Sequence, residues 1–248
     1  MPACYDLEMD SDHTLSKSIL GVMAFAAGAS VANIYYNQPL LDQMRESFNL
    51  TYSQVGLIPT LTQAGYAVGM LFLVPMGDML ERKKSVLFFS FVSAIAAAVV
   101  SVADTFAVLA SASLILGVAT MTPQFLVPFA ASLATPKTKG KVIGTMMTGL
   151  LLGILLARTV SGFVGAAYGW RVMFALAAVF QILLFLILAF TLPKSKPSYR
   201  GTYLGLLQSV VKIFKEKEVL HDACLYWGDV IWIVQCFLGD AHSLDGVG

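Results

Sequence analysis

A single arginine, Arg158, lies inside a long apolar stretch that runs from Val142 to Gly165 and holds no acidic residue. Insertion scales charge roughly 2.5–3.5 kcal/mol for an arginine at the centre of a membrane helix, and an ionisable group at such depth is a functional candidate by default. The other side chains able to do chemistry in similar surroundings are amides, hydroxyls and phenols. Ser30, Asn33 and Asn37 recur along one helical stripe, with Tyr35, Tyr36, Gln38 and Pro39 at its end. Thr60, Gln63 and Tyr66 form a second stripe, and Thr120, Thr122 and Gln124 cluster about Pro123 and Pro128. This inventory favours recognition over bond-making. His13, His221 and His242 lie outside the apolar stretches, so no nucleophile–base pair or metal site can be assembled at that depth. Cys4, Cys224 and Cys236 have no metal-ligand spacing, and no disulfide is expected. The chain therefore reads as a binding protein and not an enzyme, with no cofactor and no metal. Asn33, Tyr36, Asn37, Gln38, Gln63, Gln124 and Arg158 are assigned to one substrate cavity, suited to an organic anion or polar metabolite. Hydrogen bonding between helices is the competing reading for the polar stripes, and snorkelling to the headgroups is that for Arg158.

The elements that must position these groups are six apolar stretches, near Ser18–Leu41, Gly56–Gly77, Ser85–Ala103, Phe106–Leu133, Val142–Gly165 and Val172–Leu192. A hydrocarbon core of about 30 Å needs roughly 20 apolar residues at 1.5 Å rise each. Composition agrees: 57% of residues are hydrophobic and 12% charged, against about 25% charged in an ordinary soluble domain. The net charge of +1 is spread over separate clusters and does not point to nucleic acid, which is not expected as a partner. The N-terminus is acidic (Asp6, Glu8, Asp10, Asp12), unlike a secretory signal. The expected partner is the lipid bilayer.

Basic residues orient the stretches. Lys17, Arg82, Lys83, Lys84, Lys137, Lys139, Lys141 and the cations from Lys194 to Lys217 fall on one side; only Arg45 and Arg171 fall on the other. The positive-inside rule then makes the N-terminus cytoplasmic. The third and sixth stretches are nearly featureless runs of Ala, Val, Leu, Phe and Ile and are expected to be lipid-facing scaffolding. Gly65/Gly69 and Gly149/Gly153 each form G-x-x-x-G, a spacing that lets helix backbones approach closely. Each pair precedes a further glycine (Gly77, Gly162) and then an arginine-bearing loop (Arg82, Arg171). The second stretch thus resembles the fifth, as two three-helix inverted repeats require.

With these residues in place, the chain resembles the N-terminal half of a major facilitator superfamily transporter of the bacterial exporter type. The family's loop pattern G-x-x-x-D-x-x-G-R-[KR] is matched from Val74 to Lys83 at Asp78, Arg82 and Lys83, with Val74 and Glu81 replacing the glycines. The resemblance implies that Asp78, Arg82 and Lys83 form a conformational latch. The exporter pattern G-x8-G-x3-G-P-x2-G-G aligns on Gly144, Gly153, Ala157, Arg158, Ser161 and Gly162, with Arg158 at the proline position. It implies ion-coupled export of a small solute, by antiport. The family resemblance as a whole implies a multi-pass location in the bacterial inner membrane and a proton as coupling ion, although the helix-four motif with an arginine three residues before a glutamine is absent, Met121 standing before Gln124. The implied fold is all-α and integral to the membrane: a tail over 1–17, six transmembrane helices over 18–192 and a basic cytoplasmic linker over 193–218. Residues 219–248 hold only a ten-residue apolar run, Val230–Gly239, too short to span. A truncated or frame-disrupted carrier, inactive alone, is the expectation. The alternatives are a half-carrier that works by self-pairing and a non-transporting assembly or regulatory protein joined through its glycine faces.

Overall fold

The computed structural model describes residues 16–77 and 79–193. Among these residues, eight α-helices build six membrane-length spans. The first span combines α1 (Lys17–Tyr35), a 3-10 turn (Gln38–Leu40) and α2 (Leu41–Phe48). The second is α3 (Tyr52–Gly77), the third α4 (Arg82–Ser101), and the fourth is divided into α5 (Phe106–Ala119) and α6 (Thr122–Ser132). The fifth and sixth are α7 (Lys139–Tyr168) and α8 (Trp170–Thr191). No strand occurs among the described residues. Asp78, the N-terminal tail up to residue 15, the linker beyond residue 193 and the 219–248 segment lie outside them.

Local sequence explains the punctuation. After α2 the chain turns at Asn49, in the left-handed region at φ 51°, a conformation an Asn tolerates better than most residues. Thr51 and Gln54 then form a reciprocal capping box: the Thr51 amide donates to Gln54 Oε1 (2.9 Å) and the Gln54 amide to Thr51 Oγ1 (3.3 Å). Thr105 caps α5 by accepting from the Val108 amide at 3.3 Å. The fourth span breaks between Ala119 and Thr122, where Pro123 removes a donor from the helical ladder. Gly169, at φ 88°, makes the one-residue turn between α7 and α8, a backbone conformation open to glycine.

Packing pairs the first span with the fifth, the second with the fourth and the third with the sixth. Exchanging spans one to three for spans four to six returns the same three pairs, the signature of two related three-helix units. Two of the three pairs depend on glycine. A Cβ on Gly28 would overlap the Gly149 carbonyl, and one on Gly153 would overlap the Gly28 carbonyl. Likewise Gly65 lies on the Leu114 carbonyl and Gly117 on that of Thr62. The glycines of these two seams are thus packed inside the bundle.

The core divides into two apolar clusters. One contains Leu40, Ile58, Val100, Leu109, Trp170 and Phe174; the other contains Met23, Phe89, Phe125, Phe129, Met146 and Leu184. Buried Ser30, Ser90, Ser93, Thr120 and Gln181 lie between them along the chain of each span, with Asn33 and Thr122 at the edges of the clusters. The expectation that the third and sixth spans are featureless scaffolding is corrected here. The third is 56% buried and the sixth 39%, while the second and fifth are the most exposed, at 22% and 17% buried. Serines and one glutamine give the third and sixth spans an inward polar face that an otherwise apolar sequence conceals.

Substituting Gly153→Leu should destabilise the bundle by about 1–3 kcal/mol, because the added side chain meets backbone that cannot yield. Gly144, whose Cβ would meet nothing within 4 Å, is the control: Gly144→Leu should stay within about 0.5 kcal/mol. Thermal unfolding in detergent measures both, and equal losses would contradict the packing described.

Candidate functional site

The seven residues assigned to a cavity separate into different surroundings. Asn33, 2% exposed, donates from Nδ2 to Ser93 Oγ at 3.1 Å and to Gln181 Oε1 at 3.5 Å. Gln181 in turn donates from Nε2 to Ser30 Oγ at 3.2 Å. This amide network joins the first, third and sixth spans, and the Ser90–Thr122 hydroxyl pair at 3.2 Å joins the third to the fourth. Asn33 is therefore engaged in helix packing. Asn37, also buried, donates to Thr62 Oγ1 at 3.2 Å, and Thr62 donates to the Ile58 carbonyl at 2.9 Å. Its Oδ1 has no hydrogen-bond partner among the described residues. Tyr36 is buried against an apolar cleft between α1, α7 and α8. Gln38 is half-buried in the 3-10 turn.

The remaining three meet the more open side. Arg158 is exposed on α7, its guanidinium carbon 5.6 Å from the centroid of the Tyr35 ring, within cation–π range. No carboxylate pairs with it among the described residues. Gln124 donates from Nε2 to the Tyr66 hydroxyl at 2.6 Å. Arg158 with Tyr35 and Tyr66 with Gln124 thus make a row of two polar and aromatic pairs, on the fifth and first spans and on the second and fourth. Gln63, one turn before Tyr66 on α3, is exposed. Such a row can hold an anion or a π-face and orient it; it contains no group arranged to make or break a bond.

The two basic loops act as ties. Arg82 donates to the Pro128 carbonyl at 3.1 Å, Lys83 to the Leu192 carbonyl at 2.6 Å, and Lys84 pairs with Glu81 at 3.0 Å. Lys83 thereby places a cation on the C-terminal end of α8, where the helix dipole favours it. At the other end of the bundle, Arg171 donates to the Ala103 carbonyl at 2.9 Å and lies over the Trp170 ring. Within the helix-five pattern, Ala157 is buried beside the first span, Gly153 is packed on Gly28, a Cβ on Gly162 would meet Pro39 at ordinary contact distance, and Gly144 faces open space.

Tyr35, Tyr66, Thr62, Ser93 and Gln181 are the contributors that sequence reading left off the site. Tyr66 had a signal, the stripe it shares with Gln63. Gln181 had none beyond being the lone amide in an apolar run.

Comparison with known proteins adds the following. Residues 21–241 match the family model of the Major Facilitator Superfamily. The "Uncharacterized transporter YgaY" of Escherichia coli O157:H7 is 39% identical over 233 residues, covering 92% of this chain and 59% of that protein. A "Probable sugar efflux transporter" of Mannheimia succiniciproducens is 30% identical over 190 residues, covering 75% of this chain and 47% of that protein. The chain thus spans a little over half the length of the first of these relatives and about half of the second. Among solved structures, an inward-facing, unoccupied bacterial homologue of the human lysosomal transporter Spinster superposes with a TM-score of 0.66 at 16% identity, over 77% of this chain and 47% of that one. The peptide transporter POT in complex with alafosfalin gives 0.63 at 16% identity, over 84% of this chain and 46% of that one. At such identity these two establish the fold alone.

The amide network yields a test. In a double-mutant cycle, Asn33→Leu and Gln181→Leu should show a coupling of about 0.6–1.7 kcal/mol, the range for hydrogen bonds between membrane helices. Additive losses in detergent unfolding would mean that the two amides do not act together.

Proposed function

Because the chain belongs to the Major Facilitator Superfamily, we propose that its six described helices form one wall of the solute path of a membrane carrier that exports a small organic solute. Alternating access in this family sets two six-helix units against each other about a midplane site, so the wall described here works against a second. The observation that carries the reading is the row Arg158–Tyr35–Tyr66–Gln124. It crosses four spans and includes the two that are least buried within the bundle.

In this reading Arg158 is the anchor. Its guanidinium, held over Tyr35 and without a carboxylate partner among the described residues, suits a carboxylate, phosphate or sulfonate on the solute. Tyr66, Gln124 and Gln63 supply the neutral hydrogen bonds that orient the remainder, and Asn37 Oδ1 is an acceptor in reserve. Export by antiport is supported by the helix-five pattern through Gly153, Ala157 and Gly162; the proton as coupling ion is an expectation of the family alone. Arg82 and Lys83, with Asp78, serve as the latch, supported by the ties that Arg82 and Lys83 make to α6 and α8. The inner membrane is the location, with the N-terminus in the cytoplasm.

Ligand binding tests the anchor on the chain as it stands. Organic anions that raise the unfolding temperature in detergent should bind Arg158→Ala at least tenfold more weakly, as expected for the loss of a charge-assisted contact of about 1.5–3 kcal/mol. Unchanged affinity would remove Arg158 from recognition. For orientation, alkaline phosphatase joined after Gly169 should be active and joined after Lys139 inactive; the opposite pattern would invert the topology.

A further inference from the structure

A second feature lies on the other flank of the α1–α7 contact. A cleft of about 840 Å³ runs between α1, α7 and α8. Its floor is made of small residues, including Gly28, Ala29, Gly149 and Gly153, and its rims are exposed large ones, including Phe25, Leu152, Leu156 and Phe180. The close approach that the glycines permit is what leaves the floor low between tall walls. Along α7 the lining extends from Thr145 to Val164, about 28 Å at 1.5 Å per residue, which approaches the hydrocarbon thickness of a bilayer, about 30 Å. Arg158 projects from the opposite side of α7 and does not line it. The cleft is almost wholly apolar and opens to the outside of the bundle.

One end of this cleft is charged. Ala24 sits against Gly149, Gly28 against Gly153 and Leu40 against Gly165, so α1 and α7 run parallel in a constant register. The same register sets Lys17, the first residue of α1, level with Lys141–Val142 on α7, one turn below Thr145. Lys17, Lys139 and Lys141 are all exposed, and α1, α7 and α8 contain no Asp or Glu. A cationic mouth above an apolar trough has the two-part chemistry of a phospholipid: phosphate on the lysines, acyl chain in the groove.

We propose that this cleft is a binding site for one anionic phospholipid, drawn from the leaflet at the Lys17 end. Its headgroup sits between Lys17 and Lys141, and an acyl chain lies along the glycine floor. The site needs only that the bundle is embedded in a bilayer; it does not depend on the export reading, and it lies away from the Arg158 row. A lysine beside an anionic lipid surface contributes about a fivefold gain in affinity, so headgroup selectivity resides in the two lysines and retention in the groove.

Native mass spectrometry of the full chain, released from detergent after incubation with phosphatidylglycerol or phosphatidylethanolamine of equal chain length, is the test. The expected result is one tightly retained phosphatidylglycerol per chain and weak retention of phosphatidylethanolamine. Lys17→Gln with Lys141→Gln, both at exposed positions, should lower phosphatidylglycerol retention about twentyfold or more and abolish the preference. Ala29→Phe, which fills the trough, should reduce retention of either lipid, with helix content checked by circular dichroism. Equal retention of the two lipids by the unmodified chain would overturn the proposal. So would undiminished phosphatidylglycerol retention in the lysine variant, or in a folded Ala29→Phe variant.

Discussion

In hydrocarbon there is no water to expel from between two helices, so apolar contact alone does little to join them. Every architectural feature of this bundle answers that constraint. Where Gly28, Gly149 and Gly153 meet, and again where Gly65 and Gly117 meet the opposite helix, backbones come close enough for dense dispersion contact. Where glycine is absent, buried amides and hydroxyls bind across helices. The third and sixth spans have no glycine seam of their own, and Ser93, Gln181 and Asn33 supply the specificity there. A polar layer thus divides two apolar clusters and fixes the relative height of four spans, because an amide shifted by one turn would be left without a partner.

The two-fold internal relation extends from packing to chemistry. The glycine seam of the first and fifth spans corresponds to that of the second and fourth. The Lys83 tie to the end of the sixth span corresponds to the Arg171 tie to the end of the third. The open sides differ: Arg158 with Tyr35 lies on one seam and Tyr66 with Gln124 on the other.

The α1–α7 contact has a further consequence. Gly149 and Gly153 bring the two helices together, and their lack of side chains also lowers the floor of the apolar cleft beside them. One flank of the seam carries Arg158; the other carries only hydrocarbon-facing residues ending in lysines. Helical geometry separates them, since Arg158 is rotated about 100° from Ala157 and away from Leu156. The same seam thereby divides a flank bearing Arg158 from an almost wholly apolar one.

Much of the fold was legible in the order of residues. Apolar runs of membrane length are a one-dimensional property, and all six appear as spans close to their expected limits. Prolines at 123 and 128, Thr51 with Gln54, and the glycine pairs act on their immediate neighbours, so their effects follow from local chemistry. The site was legible only as an inventory. Asn33 and Arg158 both read as costly polar groups in hydrocarbon, yet one is turned inward to Ser93 and Gln181 and the other outward over Tyr35. Which face of a helix meets which neighbour depends on rotation about its axis and on its height. Both are set by contacts between residues as much as 151 positions apart, such as Ser30 with Gln181. Sequence by itself determined that this chain lives in lipid and where it crosses; tertiary packing alone decided which polar groups are consumed in holding the helices and which stay exposed.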